Sequence, residues 1–313
     1  MLTLMLSGCN GSMMSTLDPA GQAATDIAWI SLVMMVGTGF FVLMMTVFWL
    51  HAVYRRGSGQ TALSGRTIII LGGLVLPLVV VTALLVYGVR SGHSMLPIGE
   101  PDVRIRVTGH QWWWQFEYAG PDGTVFHTAN ELHLPVGQTI DLAITGADVI
   151  HAFWVPVLGG KLDAIPGHVN TLRLQPTRVG TFRGQCAEFC GAQHARMAFE
   201  VHVHEPADFD VFIDGLAGLT RYEAGEPAGR AAFQTHCADC HSLSTAYDLV
   251  GPNLATLPRR SALGAGTLPN TPESLRRWIS HHQQIKPGNL MPDHAELDEK
   301  TVEVLAQLLE SMP

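Results

Sequence analysis

The sequence predicts a two-helix transmembrane hairpin, then an all-β sandwich, then an all-α domain, in series along 313 residues. Three observations lead there. Two long runs near the N-terminus carry no charge, and the middle of the chain alternates apolar and polar residues between turn signals. The last third shows helical spacing around a Cys-x-x-Cys-His. The corresponding segments are 1–26, an N-terminal stretch; 27–90, the hairpin; 100–214, the sandwich; 215–229, a linker; and 230–313, the helical domain.

The spans come first. No charged residue occurs from Ile27 to Leu50 or from Thr67 to Val89. At 1.5 Å per residue each run can cross a hydrocarbon core about 30 Å thick. Charged residues are only 15% of the chain, which fits a protein partly in lipid. Pro77 inside the second run is tolerable where neighbouring groups satisfy the freed carbonyl. Arg55, Arg56 and Arg66 lie in the connecting loop with no acid, so the positive-inside rule makes that loop cytoplasmic. Both termini are then expected on the periplasmic face of a bacterial inner membrane. A net charge of -8 excludes a nucleic-acid partner, which needs a surplus of Lys and Arg. Near the start, Leu6-Ser7-Gly8-Cys9 resembles a lipoprotein cleavage box, but no basic n-region or long apolar stretch precedes it. Cys9 is either a lipidation site or an ordinary thiol.

The sandwich is read from Val103–Val107, Thr139–Ile144 and Phe199–Val203, which alternate with period two. Pro121-Asp122-Gly123, Pro135-Val136-Gly137 and Pro176 to Gly180 punctuate the strands. A short helix over Asp208 to Leu216 is expected to close this domain. The stretch from Gly215 to Gly229, rich in Gly, Ala, Glu and Pro, reads as flexible linker. Beyond it, Gly229 to Thr235 is helical, Thr271-Pro272-Glu273-Ser274 has the form of a helix start, and Leu297 to Leu309 makes a terminal helix.

Four of the five cysteines form two tight pairs, a pattern of metal and cofactor chemistry rather than of a disulfide framework. Cys186, Cys190, His194 and Met197 fall within twelve residues. Zinc favours Cys and His in a closed tetrahedron, whereas a thioether among the ligands points to copper. Upstream, His151 ends a strand. Cys237, Cys240 and His241 form the attachment signature of a c-type haem, with two thioether links and a proximal ligand in one turn.

Together with Gly109-His110-Gln111-Trp112-Trp113-Trp114 and Lys161-Leu162-Asp163-Ala164-Ile165-Pro166-Gly167, the copper loop and His151 resemble subunit II of cytochrome c oxidases over about residues 25–215. That resemblance implies a cupredoxin-like sandwich carrying the dinuclear CuA centre. Cys186 and Cys190 would bridge both coppers, His151 and His194 would bind one each, and Met197 and the carbonyl of Glu188 would be weak ligands. The Glu188 side chain would reach a magnesium or manganese ion shared with subunit I. Trp112 would be the electron-entry aromatic. In the C-terminal part, the loop Lys286 to Pro292 resembles the segment of class I cytochromes c that supplies a distal Met, here Met291; Gly251-Pro252-Asn253-Leu254 resembles the haem-packing segment. His281, His282 and His294 are rival ligands, read as solvated surface.

The implied whole is the electron-transfer subunit of a caa-type oxidase. It would pass electrons from a soluble cytochrome c or another redox donor through haem c and CuA to subunit I, where oxygen is reduced, with subunit III and membrane lipid as further partners. The alternative is the copper subunit of a nitric oxide reductase. Two departures stand out. No acid lies between Thr67 and Val89, so this chain is not expected to supply the buried proton entry. His168 follows Ile-Pro-Gly where the family often has Arg.

Overall fold

The computed structural model describes residues 12–54, 64–93, 95–120, 122–219, 225–246 and 249–312, in two compact units, 25–96 and the rest. Cys9, Arg55 and Arg56 lie outside the described residues.

In the smaller unit, α1 (Gln22–Tyr54) and a second helix from Gly65 are each long and apolar enough to cross a membrane. Their large apolar side chains face outward along almost the whole length, as a lipid solvent requires. The second helix is not uniform: α2 (Gly65–Ile70) passes through one π turn, Leu71–Val75, into α3 (Leu76–His93). Leu76 N bonds to Leu71 O. The π turn immediately precedes Pro77, whose ring would otherwise press on the carbonyl four residues back. Ser64 caps the helix, accepting from Thr67 N at 3.2 Å.

The larger unit holds two hydrophobic cores. The first fills a sandwich of two five-stranded sheets, ordered β3-β2-β1-β5-β8 and β4-β10-β9-β6-β7. The first sheet contains β1 (Val103–His110), β2 (Trp113–Ala119), β3 (Val125–Ala129), β5 (Ile140–Gly146) and β8 (Asn170–Leu174). The second contains β4 (Glu131–Pro135), β6 (His151–Trp154), β7 (Leu162–Ala164), β9 (Gly180–Cys186) and β10 (Ala198–His204). Along β5 burial alternates strictly, so Ile140, Leu142 and Ile144 face the core. β1 runs parallel to β5 and β4 parallel to β10, which closes the two layers in a Greek-key manner. The segment before α1 lies on this sandwich: Ala20 is buried and its N donates to Val157 O at 2.7 Å.

The second core belongs to α5 (Pro227–His236), α6 (Pro272–Ile285) and α7 (Glu299–Glu310), with a small β11–β12 ribbon (Ala262–Leu263, Leu268–Pro269). Thr271 caps α6, accepting from Ser274 N at 3.2 Å with Pro272 at the first helical position. Asp298 caps α7 through Thr301 N at 2.9 Å.

One expectation needs correction. The helix closing the sandwich, α4, runs from Pro206 to Gly218, and Leu219 is already buried in the second core. Residues 215–219 are therefore structured, because Phe209, Ile213 and Leu216 continue one apolar face onto the sandwich. The Thr245 hydroxyl then fastens the end of α4 to the helical domain, donating to Leu216 O at 2.8 Å.

Candidate metal centre

The loop between β9 and β10 brings four side chains together, with a fifth from β6. β6 pairs with β9, Phe153 opposite Cys186, which sets His151 beside the loop. Cys186 Sγ lies 3.8 Å from Cys190 Sγ and 3.9 Å from His151 Nδ1. Cys190 Sγ lies 3.6 Å from His194 Nδ1 and 3.8 Å from Met197 Sδ. The Glu188 carbonyl is 3.2 Å from Cys186 Sγ. All six groups anticipated from the sequence thus meet at one place. One ligand atom each from His151, Cys186 and Cys190 fall within 4.8 Å of one another. The hydrogen bond between Cys186 Sγ and Cys190 Sγ pushes the Cys186 pKa well below the ordinary thiol value and raises that of Cys190. A bound cation replaces that shared proton.

Two sulfurs, two imidazoles, a thioether and a carbonyl fit a copper pair: thiolates are soft enough to bridge, and thioether and carbonyl are weak enough to stay distal. His151 is held in the matching orientation. Its Nε2 is 2.8 Å from Asp148 Oδ1, leaving Nδ1 toward the sulfurs. Burial works against the Asp148 carboxylate, yet hydrogen bonds from His151, Val149 N and Gln111 N hold it below the usual range. Gly109 gives the ring its room, since a Cβ there would stand 2.9 Å from His151 Cδ2. Gly109→Ala is expected to tilt the imidazole, at an overpacking cost of about 1–3 kcal/mol, and to reduce copper per chain on metal analysis.

A cavity of about 480 Å³ lies between the sandwich and the helical domain, lined by Cys237, Cys240, His241 and Met291 from the latter and by Trp112 and Trp113 from the former. This fits a covalent haem. His241 Nδ1 donates to Pro252 O at 2.7 Å, so Nε2 remains for an iron. Gly251 permits that approach, because a Cβ would meet His241 Cε1 at 2.7 Å. His294 also lines the cavity. His282 corrects the surface reading: it is fully buried, with Nδ1 3.2 Å from Trp278 O and Nε2 3.3 Å from Met291 O. It braces the carbonyl of Met291 rather than facing solvent.

Trp112 connects the two sites. Only 7% exposed, it donates from Nε1 to Cys190 O at 2.9 Å and lines the cavity beside the cysteines of the helical domain. Lys286 holds this seam. Its ammonium, on a residue 3% exposed, donates to Trp112 O at 2.8 Å, Arg196 O at 2.9 Å and Gly264 O at 3.0 Å. Burial, reinforced by Arg196, pushes its pKa down to about 7. Gln193 adds a bond to Pro287 O at 2.7 Å, and Arg196 another to Ile285 O. Neither Asp148 nor Lys286 stood out in the sequence. Their neighbours in the chain, His151 and Met291, were the only signal.

A family model described as the periplasmic domain of cytochrome c oxidase subunit II matches residues 120–203, and one described as cytochrome c matches residues 227–313. Cytochrome c oxidase subunit 2 of Alkalihalophilus pseudofirmus is 33% identical over 333 residues, covering 99% of this chain and 94% of the relative. The same subunit of Bacillus sp. strain PS3 is 28% identical, covering 100% and 95%. Among solved structures, the periplasmic domain of subunit II of cytochrome oxidase from Bradyrhizobium japonicum is similar at 36% identity, with a TM-score of 0.36, over 38% of this chain and 95% of that one.

Proposed function

This chain belongs to the cytochrome c oxidase subunit II family and carries a cytochrome c domain, and from that premise we propose how its own residues serve electron transfer in a haem–copper oxidase. The relatives lend the nitric oxide reductase alternative no support. The two domains imply a CuA centre and a haem c, and each group supplies reversible one-electron chemistry when bound.

Cys186, Cys190, His151 and His194 would hold the copper pair, with Met197 and the Glu188 carbonyl as its weaker ligands. Asp148 orients His151. Cys237 and Cys240 would attach the haem, and His241 and Met291, which line the same cavity, would hold its iron. Trp112 sits between the haem cavity and the copper loop, and its hydrogen bond to the Cys190 carbonyl is the observation that carries the reading. A buried contact of this kind excludes water and keeps the two sites at fixed separation. The fused domain therefore feeds Trp112 directly, and the external donor, a cytochrome c or another redox protein, docks on the helical domain. The Glu188 side chain, half-buried beside the copper loop, suits a hard cation such as Mg²⁺ or Mn²⁺ at the contact with subunit I. Subunit III and lipid complete the assembly, with both termini on the periplasmic side.

The assignment of Met291 is tested by Met291→Ala in the purified complex. Axial ligation spans roughly 0.8 V of haem potential, and a thioether favours the ferrous state. The potential is expected to fall on the order of 0.1–0.3 V, with a changed visible spectrum. An unchanged potential and spectrum would make His294, on the same cavity wall, the ligand.

A further inference from the structure

The outer face of the second sheet carries a cluster that neither the copper loop nor the haem cavity uses. β4 and β10 pair in parallel, with Glu131 opposite Glu200 and His133 opposite His202. Alternate residues of a strand share a face, so Glu131, His133, Glu200, His202 and His204 all project to one side. One ligand atom each from Glu131, His133 and His202 lie within 4.8 Å of one another. We propose that these three side chains form a site for a divalent transition metal of the zinc class, separate from the copper centre.

The chemistry of the donor set comes first. Two imidazoles and a carboxylate are a familiar zinc set, with bonds of about 2.0–2.2 Å. Ligand atoms of a tetrahedral ion at that distance stand about 3.4 Å apart, so donors now within 4.8 Å would close on an ion as the His133 and His202 rings, stacked at 4.7 Å and 27°, turn toward it. The site is also organised in advance. His133 Nδ1 is 2.8 Å from His204 Nε2. With the Nδ1 proton donated to His204, His133 Nε2 keeps its lone pair, which is how an outer partner prepares a metal-bound imidazole. Phe212 of α4 stacks on the His133 ring at 3.8 Å between centroids and 10° between planes, fixing its plane. Glu200 Oε2 stands 3.5 Å from His202 Nε2, close enough to serve as a fourth ligand or to orient that ring.

The carboxylate gives the strongest reason. Glu131 is buried, and its Oε1 accepts from Ser261 N at 2.9 Å. The nearby Arg260 charge favours the carboxylate, but burial outweighs it and pushes the Glu131 pKa up to about 7, and Arg260 Nη2 itself donates to Asn253 O and to Thr256 Oγ1. A carboxylate removed from water is costly unless it is paired or coordinates a metal. A cation bound among Glu131, His133 and His202 offsets that cost. It would also tie β4 and β10 to the Ser261 segment of the helical domain.

The test uses the full-length chain in the assembled complex, loaded with copper and haem, cleared of loose metal with a chelator and then dialysed against Zn²⁺. Wild type is expected to retain one more zinc per chain than His202→Asn or Glu131→Gln, with at least ten-fold weaker retention in each variant and equal copper and haem in all three. Equal zinc in wild type and both variants would overturn the proposal and leave the cluster as ring packing. Should His202→Asn fail to assemble, the near-isosteric Glu131→Gln carries the comparison. X-ray absorption of the variant-sensitive zinc then reads the ligands. Imidazole scattering in the wild-type minus Glu131→Gln difference is expected, and its absence would sink the assignment.

Discussion

Cys190→Ser is expected to leave the oxidase with its haem but without a delocalised copper pair, and with turnover on the order of 1% of wild type or less. The size follows from what the sulfur touches. Cys190 Sγ faces Cys186 Sγ, His194 Nδ1 and Met197 Sδ, all between 3.6 and 3.8 Å. Only Cys186, 3.8 Å away, shares that position, and a single thiolate does not do the work of two. Loss of a group one bond removed from a metal already costs roughly 10–100-fold in affinity or activity, and a bridging ligand stands closer than that. A serine hydroxyl does not replace a thiolate toward copper, because it is harder and stays protonated near neutral pH. The fold should survive. The exchange is nearly isosteric, and the Cys190 carbonyl that accepts from Trp112 Nε1 and Gln111 Nε2 belongs to the backbone. The measurement is the copper EPR signal, with copper and haem counted per chain. A retained signal with the wild-type hyperfine pattern would defeat the bridging role. Lost haem would mean that the substitution disturbed more than the copper loop.

The parts that were legible in the sequence share one trait: their signals are local. Two charge-free runs, a Cys-x-x-Cys-His, and a loop with two thiols, an imidazole and a thioether in twelve residues are each complete within one segment. His151 was reached only by resemblance, since a lone His at a strand end carries no periodic or spacing signal of its own. The helix start at Thr271-Pro272 is visible for the same local reason, as caps act within one turn. What could not be read depends on long-range pairing. Lys286 looks like a surface lysine, and its burial follows from the helical domain meeting carbonyls of Trp112 and Arg196, 174 and 90 residues away. The polarity of His282 argues for exposure. In fact α6 turns that ring inward, to the carbonyls of Trp278 and Met291. Gly215, Ala217 and Gly218 carry the small side chains of a linker, yet the apolar face of α4 extends through Leu216 between them. Glu131 and His133 come from one strand and His202 from another that is far away in sequence, so only the parallel register makes them neighbours.

Ending the chain after Gly218 is expected to leave the copper domain folded and loaded while removing most turnover with a protein donor. The two cores support the first half. The sandwich core closes with Leu216, and the helical core begins at Leu219, so the cut divides few apolar contacts. The polar groups stranded at the seam, the backbone Trp112 O and Ala198 N and the side chains of Glu131, Gln193 and Arg196, open to water once the domain is gone and can be satisfied by it. The second half rests on the seam itself. The helical domain is not a loose tether. Lys286 donates to three carbonyls, two of them on the sandwich, Gln193 reaches Pro287 O, and Ser261 N bonds to Glu131. A donor docking on that domain therefore has a fixed route to Trp112, and without the domain Trp112 meets a partner surface it was not shaped for. Turnover with a small artificial reductant should stay within about two-fold of wild type, while turnover with a protein donor should drop ten-fold or more. Lys286→Met separates docking from mere presence of the haem, because it keeps the stem and loses the ammonium. Each buried carbonyl left unpaired costs about 1–3 kcal/mol, so this variant should retain haem and copper yet transfer electrons between them more slowly than wild type. If the truncated chain oxidises a protein donor as fast as the intact one, the haem lies off the main route. If it loses its copper, the seam belongs to the fold of the copper domain and the two cores are not independent.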